Sequence, residues 1–139
     1  SVRSTGASIR LITDGDVAGV IFTAMQTVTG IDLYLGSGGA PEGVLAAAAL
    51  RCVGGQMQGR LILDTQAKVE RARGMGISDP KRKYDMEELA SDDVIVSATG
   101  VTDGALMHGV RFKGDVIETE TIVYRSITGT VRRIPGQHR

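Results

Sequence analysis

The glycines at positions 36, 38, 39 and 43, with Glu42 set among them, form the part of this sequence best suited to hold an anion. Residues 31–53, IDLYLGSGGAPEGVLAAAALRCV, read as an apolar strand, a glycine-rich turn and an apolar helix that opens on a carboxylate. Gly36, Gly38, Gly39 and Gly43 let the backbone turn sharply and come close to a ligand. The first amides of the following helix have no intrahelical acceptors, so a phosphate placed there gains hydrogen bonds and the positive end of the helix dipole. Glu42 adds a second negative charge, which is unfavourable beside a phosphate unless a cation lies between them. A phosphate together with a divalent metal is the chemistry this turn suggests.

Two further turns could contribute. Asp14, Gly15 and Asp16 stand where an apolar segment ends and a helix begins. Asp16 could cap that helix, with Gly15 easing the turn. Asp14 could instead accept hydrogen bonds from sugar hydroxyls or bind a cation, since ligands in open α/β sheets gather beyond the carboxyl ends of the strands. Residues 97–104, SATGVTDG, offer hydroxyls and amides to a phosphate, while Asp103 could equally cap the segment after it. The 36–43 turn is not a dinucleotide fingerprint, because Pro41 occupies the place of the third glycine. Nor is it a nucleotide P-loop, because Val44 follows Gly43. Glu42 could also do no more than complement the helix dipole. His108 has no second histidine or cysteine at ligand spacing, His138 sits in the tail, and no nucleophile elbow is present.

The elements that must position these turns follow from hydrophobic periodicity. Residues 8–13 read as a strand, 17–26 as a mostly buried helix, 31–35 as a second strand and 42–53 as a second helix. Gly54 and Gly55 end that helix, and residues 59–63 suit a short strand. Residues 66–73 suit a charged surface helix, 79–83 a turn and 85–90 a short acidic helix. Residues 93–98 read as a buried strand, and 117–124 with 130–134 as a hairpin with β-branched alternation across residues 126–129. The expected fold is one α/β domain over residues 1–139, a layered mixed sheet with packed helices that ends in a β-hairpin.

Composition narrows the function. A chain of 139 residues with 42% hydrophobic residues can bury an ordinary core. Sixteen basic residues against sixteen acidic ones, with few aromatics, argue against a nucleic-acid surface. Cys52 is the single cysteine, which excludes an intrachain disulfide and suits a small core residue in a reducing, cytoplasmic setting. No apolar run approaches the roughly 20 residues of a membrane span. The chain opens at Ser1 without methionine and runs almost at once into strand-like sequence, so an upstream part is expected.

The segments LITDGDVAGVI at 11–21, LGSGGAPEGVLAAAALRCVGGQMQGRL at 35–61 and VIVSATGVTDGALMHGVRF at 94–112 closely resemble the carboxyl-terminal part of class II fructose-1,6-bisphosphatase. That family belongs to the inositol-monophosphatase-like sugar phosphatases, whose layered α/β fold has two halves with the active site between them. The resemblance implies hydrolysis of the 1-phosphate of fructose 1,6-bisphosphate to fructose 6-phosphate in gluconeogenesis; some relatives also take sedoheptulose 1,7-bisphosphate. It implies that Glu42 ligates a catalytic magnesium or manganese ion, and that Asp14, Gly15, Asp16 and Gly39 contact the sugar bisphosphate. The family's other metal carboxylates, its catalytic threonine and its distal-phosphate basic residues belong to an amino-terminal portion without a counterpart here. The expectation is therefore the carboxyl-terminal half of a homo-oligomeric phosphatase, inactive alone and carrying no catalytic residue of its own. The alternatives are a stand-alone sugar-phosphate binding module, and a structural role in which helices 17–26 and 42–53 serve an oligomer contact.

Overall fold

Helix α3 (Ala40–Val53) is the element on which most of the chain packs, and its composition explains why. Its buried residues are Ala46, Ala47, Ala49, Leu50 and Cys52, nearly all small, so neighbours on both sides can approach the backbone closely. Ala49 and Cys52 join Ile21, Val96, Ile122 and Tyr124 in one cluster, while Ala46 and Leu50 join Val20 in a second, bordered by Tyr34 and Met57. One side of α3 thus meets a sheet, and the other meets α1 (Asp16–Thr23) and the chain leading into the glycine turn. Gly54, at φ 81°, closes the helix in the left-handed conformation where the sequence predicts its end.

The computed structural model describes residues 2–13 and 15–139. After a 3-10 turn at Val2–Thr5 and α1 come α2 (Gln26–Thr29), α3, β1 (Gln58–Arg60), α4 (Gln66–Gly74), β2 (Lys83–Asp85) and α5 (Met86–Leu89). The chain ends with β3 (Ile95–Thr99), β4 (Arg111–Lys113), β5 (Val116–Arg125) and β6 (Thr130–His138). β1 and β2 form a small antiparallel pair. In the larger sheet β5 pairs along its length with β6, and its other edge is shared by β3, from Ile95↔Arg125 to Thr99↔Thr121, and β4. The α/β class and the terminal hairpin hold.

Two expected strands do not form. Residues 8–13 and 31–35 carry no ladder, and Leu11, Leu33 and Leu35 are 81%, 69% and 68% exposed. A strand exists through the backbone pairing of a neighbour, and no described segment forms a ladder with either one. Every strand pairing among the described residues is consequently antiparallel. The helix expected over 17–26 is also divided, into α1 and α2. The hydroxyls of Thr23 and Thr29 donate to Val20 O and Phe22 O, both at 2.8 Å, and so occupy carbonyls that a continuous helix would use. No described helix is long and apolar enough to cross a membrane.

Candidate functional site

The start of α1 and the glycine turn before α3 lie side by side, brought together by the packing of α1 on α3. Gly15 precedes α1 with φ 76° and ψ 36°, a left-handed conformation that glycine adopts without steric cost. The N-cap position falls on Gly15, which makes no side-chain cap, so the capping role open to Asp16 is not used. Asp16 occupies the first helical position instead, where its charge complements the dipole, and its Oδ1 accepts a hydrogen bond of 2.9 Å from the hydroxyl of Tyr34. Burial first, and then the hydrogen bond to Asp16 and its charge, push the Tyr34 phenol upward. Tyr34 therefore stays protonated and donates.

The glycine turn closes against this pair. A methyl group on Gly38 would stand 2.9 Å from Asp16 Oδ2, and one on Gly36 would stand 2.5 Å from the Tyr34 hydroxyl oxygen. A methyl group on Gly39 would overlap the carboxylate of Glu42, which folds back over the turn. Gly39 itself has ordinary extended geometry, φ −68° and ψ 151°, so what restricts the position is this close approach and not backbone strain. Pro41 lies in the first turn of α3 and has no N–H, leaving Ala40 and Glu42 to present amides without intrahelical acceptors there.

The Glu42 side chain is exposed and makes no hydrogen bond or ion pair with any described residue. Its hard oxygens suit magnesium or manganese. Among the described residues, however, no three acidic, histidine or cysteine side chains gather closely enough to hold a metal. One carboxylate supplies part of a coordination shell that normally takes about six oxygen ligands. Asp14 lies outside the described residues. The structure thus joins Gly15, Asp16, Gly39 and Glu42 around one turn and adds Tyr34, which the sequence reading treats only as part of an apolar strand. No spacing signal could have singled it out, because its partner is eighteen residues away.

The 97–104 turn serves the fold. Asp103 Oδ1 accepts from the Gly109 amide at 2.9 Å, and Val110 N donates to Val101 O at 3.2 Å, which closes the loop on itself. The Gly109 amide, together with Arg111 and His108, holds the Asp103 carboxyl below its ordinary value. His108 donates its amide to Glu120 Oε2 at 2.6 Å, and its ring stands 3.0 Å from the Arg111 guanidinium, so it too belongs to this loop network.

Carboxylates at two adjacent helix starts thus face one glycine turn in an α/β protein. Residues 1–138 match the family described as bacterial fructose-1,6-bisphosphatase, glpX-encoded, and the chain belongs to that family. A relative from Synechococcus sp. (strain JA-3-3Ab), named D-fructose 1,6-bisphosphatase class 2/sedoheptulose 1,7-bisphosphatase, is 45% identical across 99% of this chain and 43% of its own length. Relatives of the same name from Synechocystis sp. and Synechococcus elongatus are each 41% identical over the same shares. The chain thus spans less than half the length of the curated relatives it matches. The family resemblance carried by residues 11–21, 35–61 and 94–112 is borne out.

Proposed function

We propose that this chain is the substrate-binding and partly metal-binding half of a metal-dependent phosphatase that hydrolyses the 1-phosphate of fructose 1,6-bisphosphate to fructose 6-phosphate. The observation that carries this reading is the Glu42 carboxylate, unpaired among the described residues and folded over the same turn that abuts Asp16. In this reading Asp14, Gly15, Asp16 and Gly39 contact the sugar bisphosphate, Asp16 accepting from its hydroxyls, and Glu42 is one ligand of a magnesium or manganese ion. Such an ion, when bound, polarises the phosphoryl group and neutralises charge on the leaving oxygen. In the net reaction water bonds to phosphorus, and the sugar oxygen departs carrying a proton from that water. The amides at Ala40 and Glu42 give phosphate oxygens fixed donors, and the exposed turn gives the sugar a way in. The remaining metal ligands and the groups that activate water are assigned to the part of the relatives beyond this chain. Sedoheptulose 1,7-bisphosphate, which shares the ketose 1-phosphate, is the second substrate proposed.

The test is phosphate release from fructose 1,6-bisphosphate with magnesium or manganese, measured for the 139-residue chain and for the complete protein. We expect turnover by the complete protein and background release by the isolated chain. Robust hydrolysis by the isolated chain would show that the catalytic residues are misplaced. Metal-independent binding by the complete protein without hydrolysis would establish a binding module instead.

A further inference from the structure

We propose that Tyr34 is a positioning residue that fixes the Asp16 carboxylate for the sugar, an inference that rests on the substrate-binding reading of Asp16. Four observations converge on it. The hydroxyl of Tyr34 donates to Asp16 Oδ1 at 2.9 Å, across eighteen residues of sequence. The ring lies over Gly19, where an added methyl group would stand 2.9 Å from its Cε2 atom. Asp16 and Gly19 are three residues apart and share a face of α1, so seating the ring on Gly19 directs its hydroxyl at Asp16. Below, the ring packs on the cluster of Val20, Ala46 and Leu50, which holds the tyrosine in place.

The consequence for Asp16 is geometric. A carboxylate has two oxygens, and Tyr34 occupies one lobe of Oδ1 while Oδ2 stays turned toward Gly38 in the glycine turn. The side chain is thereby locked in one rotamer at the site without having its charge neutralised. A hydroxyl donor is suited to this task, because a lysine or arginine in its place would compete with the sugar as a full counter-charge. Tyr34 itself need not touch the ligand. Its removal should loosen Asp16 and weaken substrate binding, leaving the phosphoryl chemistry intact once substrate is bound.

The experiment compares Tyr34→Phe, Asp16→Asn and the double variant in the complete enzyme, measuring kcat, KM and melting temperature for each. Phenylalanine keeps the ring on Gly19 and the apolar cluster, so the fold should survive. Tyr34→Phe is expected to raise KM by about tenfold, the scale of one hydrogen bond to a charged group, with kcat within about twofold of wild type. Asp16→Asn should raise KM at least as much. The double variant should match Asp16→Asn alone, because the tyrosine acts only through that carboxylate. An unchanged KM in Tyr34→Phe, with Asp16→Asn impaired, would overturn the positioning role while leaving Asp16 as a substrate contact. Additive effects in the double variant would overturn it too, as would a lowered melting temperature with both kinetic constants intact. An Asp16→Asn enzyme with wild-type KM would remove the substrate-binding reading, and the positioning role with it.

Discussion

Replacing Gly39 by alanine separates a site glycine from a fold glycine. The backbone at Gly39, φ −68° and ψ 151°, is open to any L-residue, so alanine introduces no backbone strain. Its methyl group, however, would fall on the Glu42 carboxylate, with the Cδ atom at 3.1 Å. Ordinary van der Waals contact of about 3.5 Å or more requires the carboxylate to move away by roughly 1 Å. A long exposed side chain can make that move at little cost. Stability should fall by no more than about 1 kcal/mol, the scale of exchanging glycine for alanine at an uncapped helix start. If Glu42 is a metal ligand, as proposed, its displacement by about 1 Å should lower turnover in the complete enzyme by about 10- to 100-fold. Much of the loss should be recovered as the magnesium or manganese concentration is raised. The assay pairs a thermal melt with a metal titration of phosphate release. Wild-type titration curves would show that the position of Glu42 is immaterial, and a collapse of the melting temperature would show that Gly39 serves the fold.

Other outcomes follow from the same packing. Tyr124 is 2% exposed, and its hydroxyl finds no hydrogen-bond partner among the described residues. Tyr124→Phe should therefore stabilise the protein by about 1 kcal/mol, visible as a melting temperature raised by a few degrees. A clear drop would show that the hydroxyl is satisfied. Asp103 is held below its ordinary value chiefly by the Gly109 amide. A carboxyl depressed in the folded state stabilises above the ordinary carboxylate range and loses that contribution as pH falls through its folded value. Wild type should therefore melt above Asp103→Asn near neutral pH and converge with it only once the pH has fallen below the depressed folded value of Asp103. A difference that persists in acid would assign the effect to something other than this charge.

Local chemistry made much of the fold readable. Gly54 marked the end of α3, and the acidic segment at 85–90 became α5 through the reciprocal bonds of Asp85 and Glu88. The β-branched alternation at 117–124 yielded β5, and the charged run at 66–73 yielded α4 with Thr65 as its cap. Strand-like sequence at 8–13 and 31–35 misled because apolar alternation describes a segment's preference and is silent on which neighbour it pairs with. β4 went unseen because Arg111, Phe112 and Lys113 are all exposed, and a short edge with polar neighbours has no apolar pattern. The candidate site followed the same division. Residue type and local spacing pointed to the turns that carry Gly15, Asp16, Gly39 and Glu42, whereas their roles as substrate contacts and metal ligand come from the family resemblance. The bond from Tyr34 to Asp16 and the closure of Asp103 on Gly109 depend on how the chain returns on itself.

Glu42 carries the claim that this site works with a metal. Glu42→Gln preserves the length and volume of the side chain while removing its charge, and the residue has no described partner whose loss would disturb the fold. The decisive measurement is activity against magnesium or manganese concentration for the complete Glu42→Gln enzyme beside wild type. Metal ligation requires turnover to fall by orders of magnitude and the curve to shift toward higher metal, with the metal-free melting temperature nearly unchanged. If Glu42 only complements the dipole of α3, the charge is worth about 0.3–1 kcal/mol of stability and the curves superimpose. Superimposable curves would contradict the metal-binding role of this turn.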